Sequence, residues 1–199
     1  ALHSATKALN RQSTGLGGVI VGSKTFLAAH EAILNDYFVS LGAIMHPMSA
    51  WFCLNNRFTL ERDMLTFSAN SSEVAQFLAI NDLVKKVNHP GFVGRGIGAG
   101  INGVVFSVVV GGVFSFEMRS HDEAKRFVEA VTKGGNVYLA PHLGDVRYLM
   151  IHPASTTHAK LSEAEMREVN ITPELVRFSV GLGDPAPILE DLSAALKNL

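Results

Sequence analysis

An α/β fold is the class this sequence predicts, on three observations. In the second half, short runs rich in β-branched and aromatic residues alternate with longer stretches whose apolar residues recur at helical spacing. Glycine and proline mark most of the junctions between these runs. The composition, 47% hydrophobic and 18% charged over 199 residues, is that of a chain that buries a sizeable core, which argues against disorder.

The elements follow in order. Leu9 to Gly15 reads as a polar loop, and Gly17 to Gly22 as a short buried strand between glycines. Ser23 caps a predicted helix from Lys24 to about Leu41, with Phe26, Leu27, Ile33, Leu34, Tyr37 and Phe38 on its buried side. Pro47 breaks that pattern, and an apolar segment containing Trp51 starts another helix from Ala50. Leu60 to Ile80 is a long helix with Val74, Phe77 and Leu78 inward, and Val84 to Asn88 a strand ended by His89-Pro90-Gly91. Strands are expected over Val104–Val110 and Val113–Phe116, hinged at Gly111-Gly112. Asp122 to Lys133 is amphipathic, with Ala124, Phe127, Val128 and Val131 inward and a glycine stop. Val137–Ala140, Tyr148–Ile151 and Leu175–Val180 read as strands. Ser162 to Glu165 is a capping box, and Pro185 to Leu199 a terminal helix with one apolar face.

Several functions are disfavoured by these residues. A net charge of −1 gives no basic field for nucleic acid. The uncharged run Gly98 to Phe116 is long enough to span a membrane, but its five glycines and β-branched content suit buried strands instead, so no membrane is expected. Gly98-x-Gly100-x-x-Gly103 matches a dinucleotide fingerprint in letters alone, since a strand follows it where a helix is needed. His152 and His158 lack a third ligand at a recognisable spacing, so no metal is expected and both are read as structural. The sole cysteine, Cys53, excludes an internal disulfide and suits a reducing, cytoplasmic compartment.

The chemistry is concentrated in Leu2-His3-Ser4-Ala5-Thr6-Lys7. Two hydroxyls followed by a lysine suit a phosphorylated aldehyde, with the hydroxyls donating to phosphate oxygens and an unprotonated amine attacking the carbonyl carbon. Three further stretches accompany it. They are Gly112-Val113-Phe114-Ser115-Phe116-Glu117, then Leu143-Gly144-Asp145 running on to His152-Pro153-Ala154-Ser155-Thr156-Thr157-His158, and Leu175-Val176-Arg177-Phe178-Ser179-Val180-Gly181. In this order and spacing the chain resembles, from end to end, the second half of the cysteine and methionine metabolism enzymes that depend on pyridoxal 5'-phosphate. Its histidine-flanked stretch is most similar to the O-acetylhomoserine and O-succinylhomoserine sulfhydrylases, with cystathionine synthases and lyases and methionine γ-lyase as close relatives.

The resemblance implies the aspartate-aminotransferase-like fold of pyridoxal-phosphate-dependent transferases. Residues 1–90 would be the end of the cofactor domain with its connecting helices, and residues 91–199 a C-terminal α/β domain with a mostly antiparallel sheet. It implies Lys7 as the lysine that joins the cofactor, Ser4 and Thr6 as phosphate ligands, and Arg177 as the clasp for the substrate carboxylate. His142 falls where relatives carry a Ser or Asn near that carboxylate. The implied reaction is γ-substitution on an O-acylated homoserine by sulfide or a thiol, in a homo-oligomer, a tetramer in the family.

Departures from the family are also expected to matter. Ala8 and Asn10-Arg11-Gln12 stand where relatives carry an aromatic residue and Gly-Gly-His, Asn55-Asn56-Arg57 replaces Arg-Gly-Leu, Asp63 replaces an arginine, and Gly183 a glutamate. The family's stacking aromatic ring and the aspartate at the pyridine nitrogen belong to the half that would precede Ala1. The sequence is therefore expected to be part of a longer enzyme with little activity alone, or a non-catalytic remnant serving assembly.

Overall fold

The computed structural model describes residues 1–92 and 109–199, which form two compact units, Ala1–Glu61 and Arg62–Leu199. The strand expected over Val104–Val110 and the Gly98 to Gly103 fingerprint fall largely or wholly outside the described residues.

In the first unit, β1 (Leu2–Ser4) and β2 (Gly18–Ile20) form an antiparallel ribbon in which His3 faces Val19. The expected burial of this second strand is not found: Val21 is 58% exposed. A two-stranded ribbon covers neither of its faces. The predicted helix from Lys24 to Leu41 is broken into α1 (Lys24–Ala29), α2 (Glu31–Asn35) and a wide turn at Asp36–Ser40. Ser23 caps it as expected, accepting from the Phe26 amide. The break falls at His30, whose Nδ1 lies 2.8 Å from the Phe26 carbonyl and whose ring stacks on Phe26. The face predicted to be buried is open, with Phe26 49% and Ile33 59% exposed. No described residue of this unit covers it. Pro47 opens α3 (Pro47–Asn56), three residues before the predicted start, because its missing amide costs nothing in a first turn.

In the second unit, α4 (Leu60–Ala79, whose first two residues belong to the first unit), α5 (His121–Lys133) and α7 (Ala186–Lys197) supply the apolar stripes, and α6 (Glu163–Glu168) opens on the expected capping box. Five strands make one sheet: β3 (Val84–Asn88), β4 (Val113–Met118), β5 (Val137–Leu139), β6 (Tyr148–Ile151) and β7 (Leu175–Ser179), in the order β3-β4-β7-β6-β5. All pairings are antiparallel except β5 with β6. Strand alternation sends Phe114, Phe116, Val176 and Phe178 into a core shared with Val74, Leu78, Phe127, Val131, Ile188 and Leu192. Phe116 and Phe127 meet edge to face at 5.8 Å. Residues of opposite parity, Ser115 and Arg177, therefore share the other face, directly opposite one another in the register.

Candidate active site

The five residues singled out from the sequence form two groups, one in each unit. Ser4 ends β1, and Ala5 to Lys7 make the turn that follows, closed by the Lys7 amide to the Ser4 carbonyl at 3.4 Å. Ala5 is buried and fixes the turn, Ser4 is exposed, and Lys7 is half-buried. The Lys7 carbonyl accepts from the Asn10 amide at 2.9 Å, which starts the single turn Ala8–Asn10. Thr6 closes the loop at its far end. Its hydroxyl donates to the Gly17 carbonyl at 3.2 Å and accepts from the Gly17 amide at 3.0 Å.

These residues admit an anionic aldehyde cofactor, with one qualification of role. Ser4, whose hydroxyl has no protein partner among the described residues, lines a cleft of about 650 Å³ with His3, Gly17, Gly18 and Phe38. Exposed strand-end backbone and a small hydroxyl suit a phosphate. The Thr6 proton, in contrast, is committed to Gly17, and a phosphate gains it only in exchange for that bond.

In the second unit Arg177 lies on β7, paired with Ser115 of β4 and Ile151 of β6. As a lone arginine between Val176 and Phe178 it could equally belong on an edge strand; β7 is interior to the sheet instead. Its Nη2 donates to the His142 carbonyl at 3.2 Å, so the structure does bring these two residues together, through the backbone of His142. Burial pulls the guanidinium below its ordinary value, and no carboxylate among the described residues pairs with it. It remains a cation. The cleft in front of it, about 390 Å³, is lined by Asn88, Ser115, Thr157, His158 and Asn170. A half-buried guanidinium at the edge of a cleft that also presents neutral polar side chains is chemically able to hold an anion. Ser115 was not anticipated; the signal available was the alternation of Val113 to Phe116, which puts it on the face opposite the core.

His152 is fully engaged in structure. Its Nε2 faces the Pro173 carbonyl at 2.7 Å and so carries the proton, while Nδ1 accepts from the Ser155 hydroxyl at 2.8 Å. Among the described residues no group of three His, Cys, Asp or Glu side chains is placed to hold a metal, and no helix is long and apolar enough to cross a membrane.

A strand-turn ending in Ser-Ala-Thr-Lys and a half-buried arginine on an interior strand accord with one class, the pyridoxal-phosphate-dependent enzymes of sulfur amino acids. Residues 1–197 match the family model for Cys/Met metabolism PLP-dependent enzymes, and the chain belongs to that family. Its members are lyases and transferases. The chain is 34% identical over 197 residues to a cystathionine beta-lyase of Lactococcus lactis subsp. cremoris, covering 99% of this chain and 50% of that protein. It is 30% identical to the O-acetyl-L-homoserine sulfhydrylase of Leptospira meyeri, covering 100% and 52%. Among solved structures it superposes with a TM-score of 0.85 and 27% identity on a protein assigned as an O-acetylhomoserine (thiol)-lyase from Campylobacter jejuni, which holds N'-pyridoxyl-lysine-5'-monophosphate, over 98% of this chain and 53% of that one. The chain thus spans about half the length of the relatives it matches.

Proposed function

We propose that this chain supplies the cofactor lysine and the substrate-carboxylate arginine of a transsulfuration enzyme acting on an O-acylated homoserine with sulfide or a thiol as nucleophile. The observation that carries this is Arg177, half-buried on an interior strand with no carboxylate partner among the described residues. Lys7 is the residue that would hold pyridoxal 5'-phosphate, with Ser4 at its phosphate and Thr6 securing the loop through Gly17. When bound, that cofactor supplies an electron sink that acidifies the substrate Cα–H. The chain's own part is then positional and acid–base. Arg177 fixes the α-carboxylate by a planar pair of donors, and its bond to the His142 carbonyl orients the guanidinium. The Lys7 amine takes protons from Cα and then Cβ, so that the γ-acyl group leaves with its bonding pair as a carboxylate; once the nucleophile has added at Cγ, protons return to Cβ and Cα.

A second reading has its own support, the 34% identity to a cystathionine beta-lyase. In that case the same lysine and arginine serve cleavage of cystathionine, and the acyl group is never involved.

Protein expressed from its complete reading frame distinguishes these readings. O-acetylhomoserine or O-succinylhomoserine with sulfide yields homocysteine under the first, whereas cystathionine yields a 2-oxo acid under the second. Arg177→Lys, which keeps charge but loses the planar fork, raises KM for the amino-acid substrate by about tenfold or more. An unchanged KM removes Arg177 from substrate binding. Absence of every one of these activities in cofactor-saturated protein favours the non-catalytic remnant.

A further inference from the structure

The segment after Lys7 and the end of α3 meet in this structure through buried polar contacts. Arg11 is only 8% exposed, and its guanidinium donates to the Asn56 carbonyl at 3.2 Å and to the Thr59 hydroxyl. In return the Asn56 side-chain amide donates to the Leu9 carbonyl at 3.1 Å. Leu9 lies in the single turn that leaves Lys7, and Asn56, itself buried, is the last residue of α3. Its neighbours take no part: Asn55 bonds back to the Trp51 carbonyl, and Arg57 lies over the Phe58 ring. Inside the loop, Asn10 donates to the Gly15 carbonyl at 2.8 Å and accepts from the Thr14 hydroxyl at 2.6 Å.

Each side chain thus bonds the backbone of the other's segment: the Arg11 guanidinium reaches the Asn56 carbonyl and the Asn56 amide reaches the Leu9 carbonyl. Losing either side chain removes one of the two ties and leaves a backbone carbonyl short of that donor.

We propose that Arg11 and Asn56 are positioning residues whose two side chain–backbone ties together clamp the Lys7 turn to the end of α3 and so set where the Lys7 amine is presented. The inference rests on the reading of Lys7 as the cofactor lysine.

The test uses protein from the complete reading frame, loaded with pyridoxal phosphate. Arg11→Ala, Asn56→Gly, the double variant and Arg11→Lys are compared for the pH at which the visible band of the lysine-bound cofactor interconverts, and for the rate of borohydride incorporation at Lys7 read by peptide mass mapping. Each single variant shifts the band midpoint and slows incorporation by about tenfold or more. Arg11→Lys recovers part of the loss, and the double variant loses less than the product of the singles. Should Arg11→Ala fail to fold, Thr59→Val removes one partner of the guanidinium and gives a smaller change in the same direction. Variants that melt earlier yet keep the wild-type midpoint and rate overturn the clamp. Unmodified protein that labels elsewhere than Lys7 overturns the reading of Lys7 instead, and the clamp with it.

Discussion

Gly181 and Gly183 stand two residues apart after β7 and answer to different constraints. A Cβ at Gly181 would sit 2.4 Å from the Val146 carbonyl oxygen and 2.7 Å from the Arg147 carbonyl carbon, both backbone atoms that cannot yield cheaply. Gly181→Ala therefore destabilises by about 1–3 kcal/mol in chemical denaturation. At Gly183 the nearest atom is Tyr148 Cε2 at 3.8 Å, an ordinary contact, and its carbonyl is already held by Tyr148 and Asn70. Gly183→Ala stays within about 0.5 kcal/mol by the same measurement. His152 sets a pH dependence. Burial, first among the causes, holds its pKa below the ordinary 6.5. The unfolded chain thus takes up the proton first, and the stability of the neutral folded form, complete above that value, is lost as pH falls through 6.5 and below. His89, lowered by the same cause, adds to the slope. Equilibrium unfolding from pH 8 to 5 should show it, and a flat profile would contradict the neutral assignment.

At the scale of elements, α5 holds the sheet through Phe127 against Phe116, and Phe127→Ala costs about 3–5 kcal/mol, measurable as a shift of the denaturation midpoint. The amphipathic period of α5 and the capping box of α6 are local features, and they were legible in the sequence because residues a few positions apart decide them; the Ser120 cap of α5 emerged only in the structure. The broken helix at His30 was not legible: its apolar residues recur at helical spacing, but the stacking of His30 on Phe26 interrupts the run and nothing in the unit covers its face. The interior place of β7 was equally hidden, since sheet order is a long-range property that alternation cannot report. Candidate site residues are legible where they lie in one short run, as Ser4 to Lys7 do. Arg11 and Asn56 are 45 positions apart and meet only through the fold.

For the molecule as a whole, the first unit carries an apolar surface unusual for an isolated domain. Phe58 is 77% exposed, Leu41 68% and Trp51 54%, and Ile44 and Met48 extend the same region of sequence. Exposed apolar side chains in this number favour association, so the 199-residue chain is expected to self-associate at high concentration. A single monomeric boundary by sedimentation would contradict that. The central claim is narrower, that the turn ending in Lys7 is built to present an amine to pyridoxal phosphate. Its most direct test is to mix the chain with pyridoxal phosphate, reduce with borohydride and map the adduct by peptide mass. The account predicts one labelled peptide, that of Lys7, lost in Lys7→Ala. Labelling scattered over surface lysines, or none at all, would contradict it.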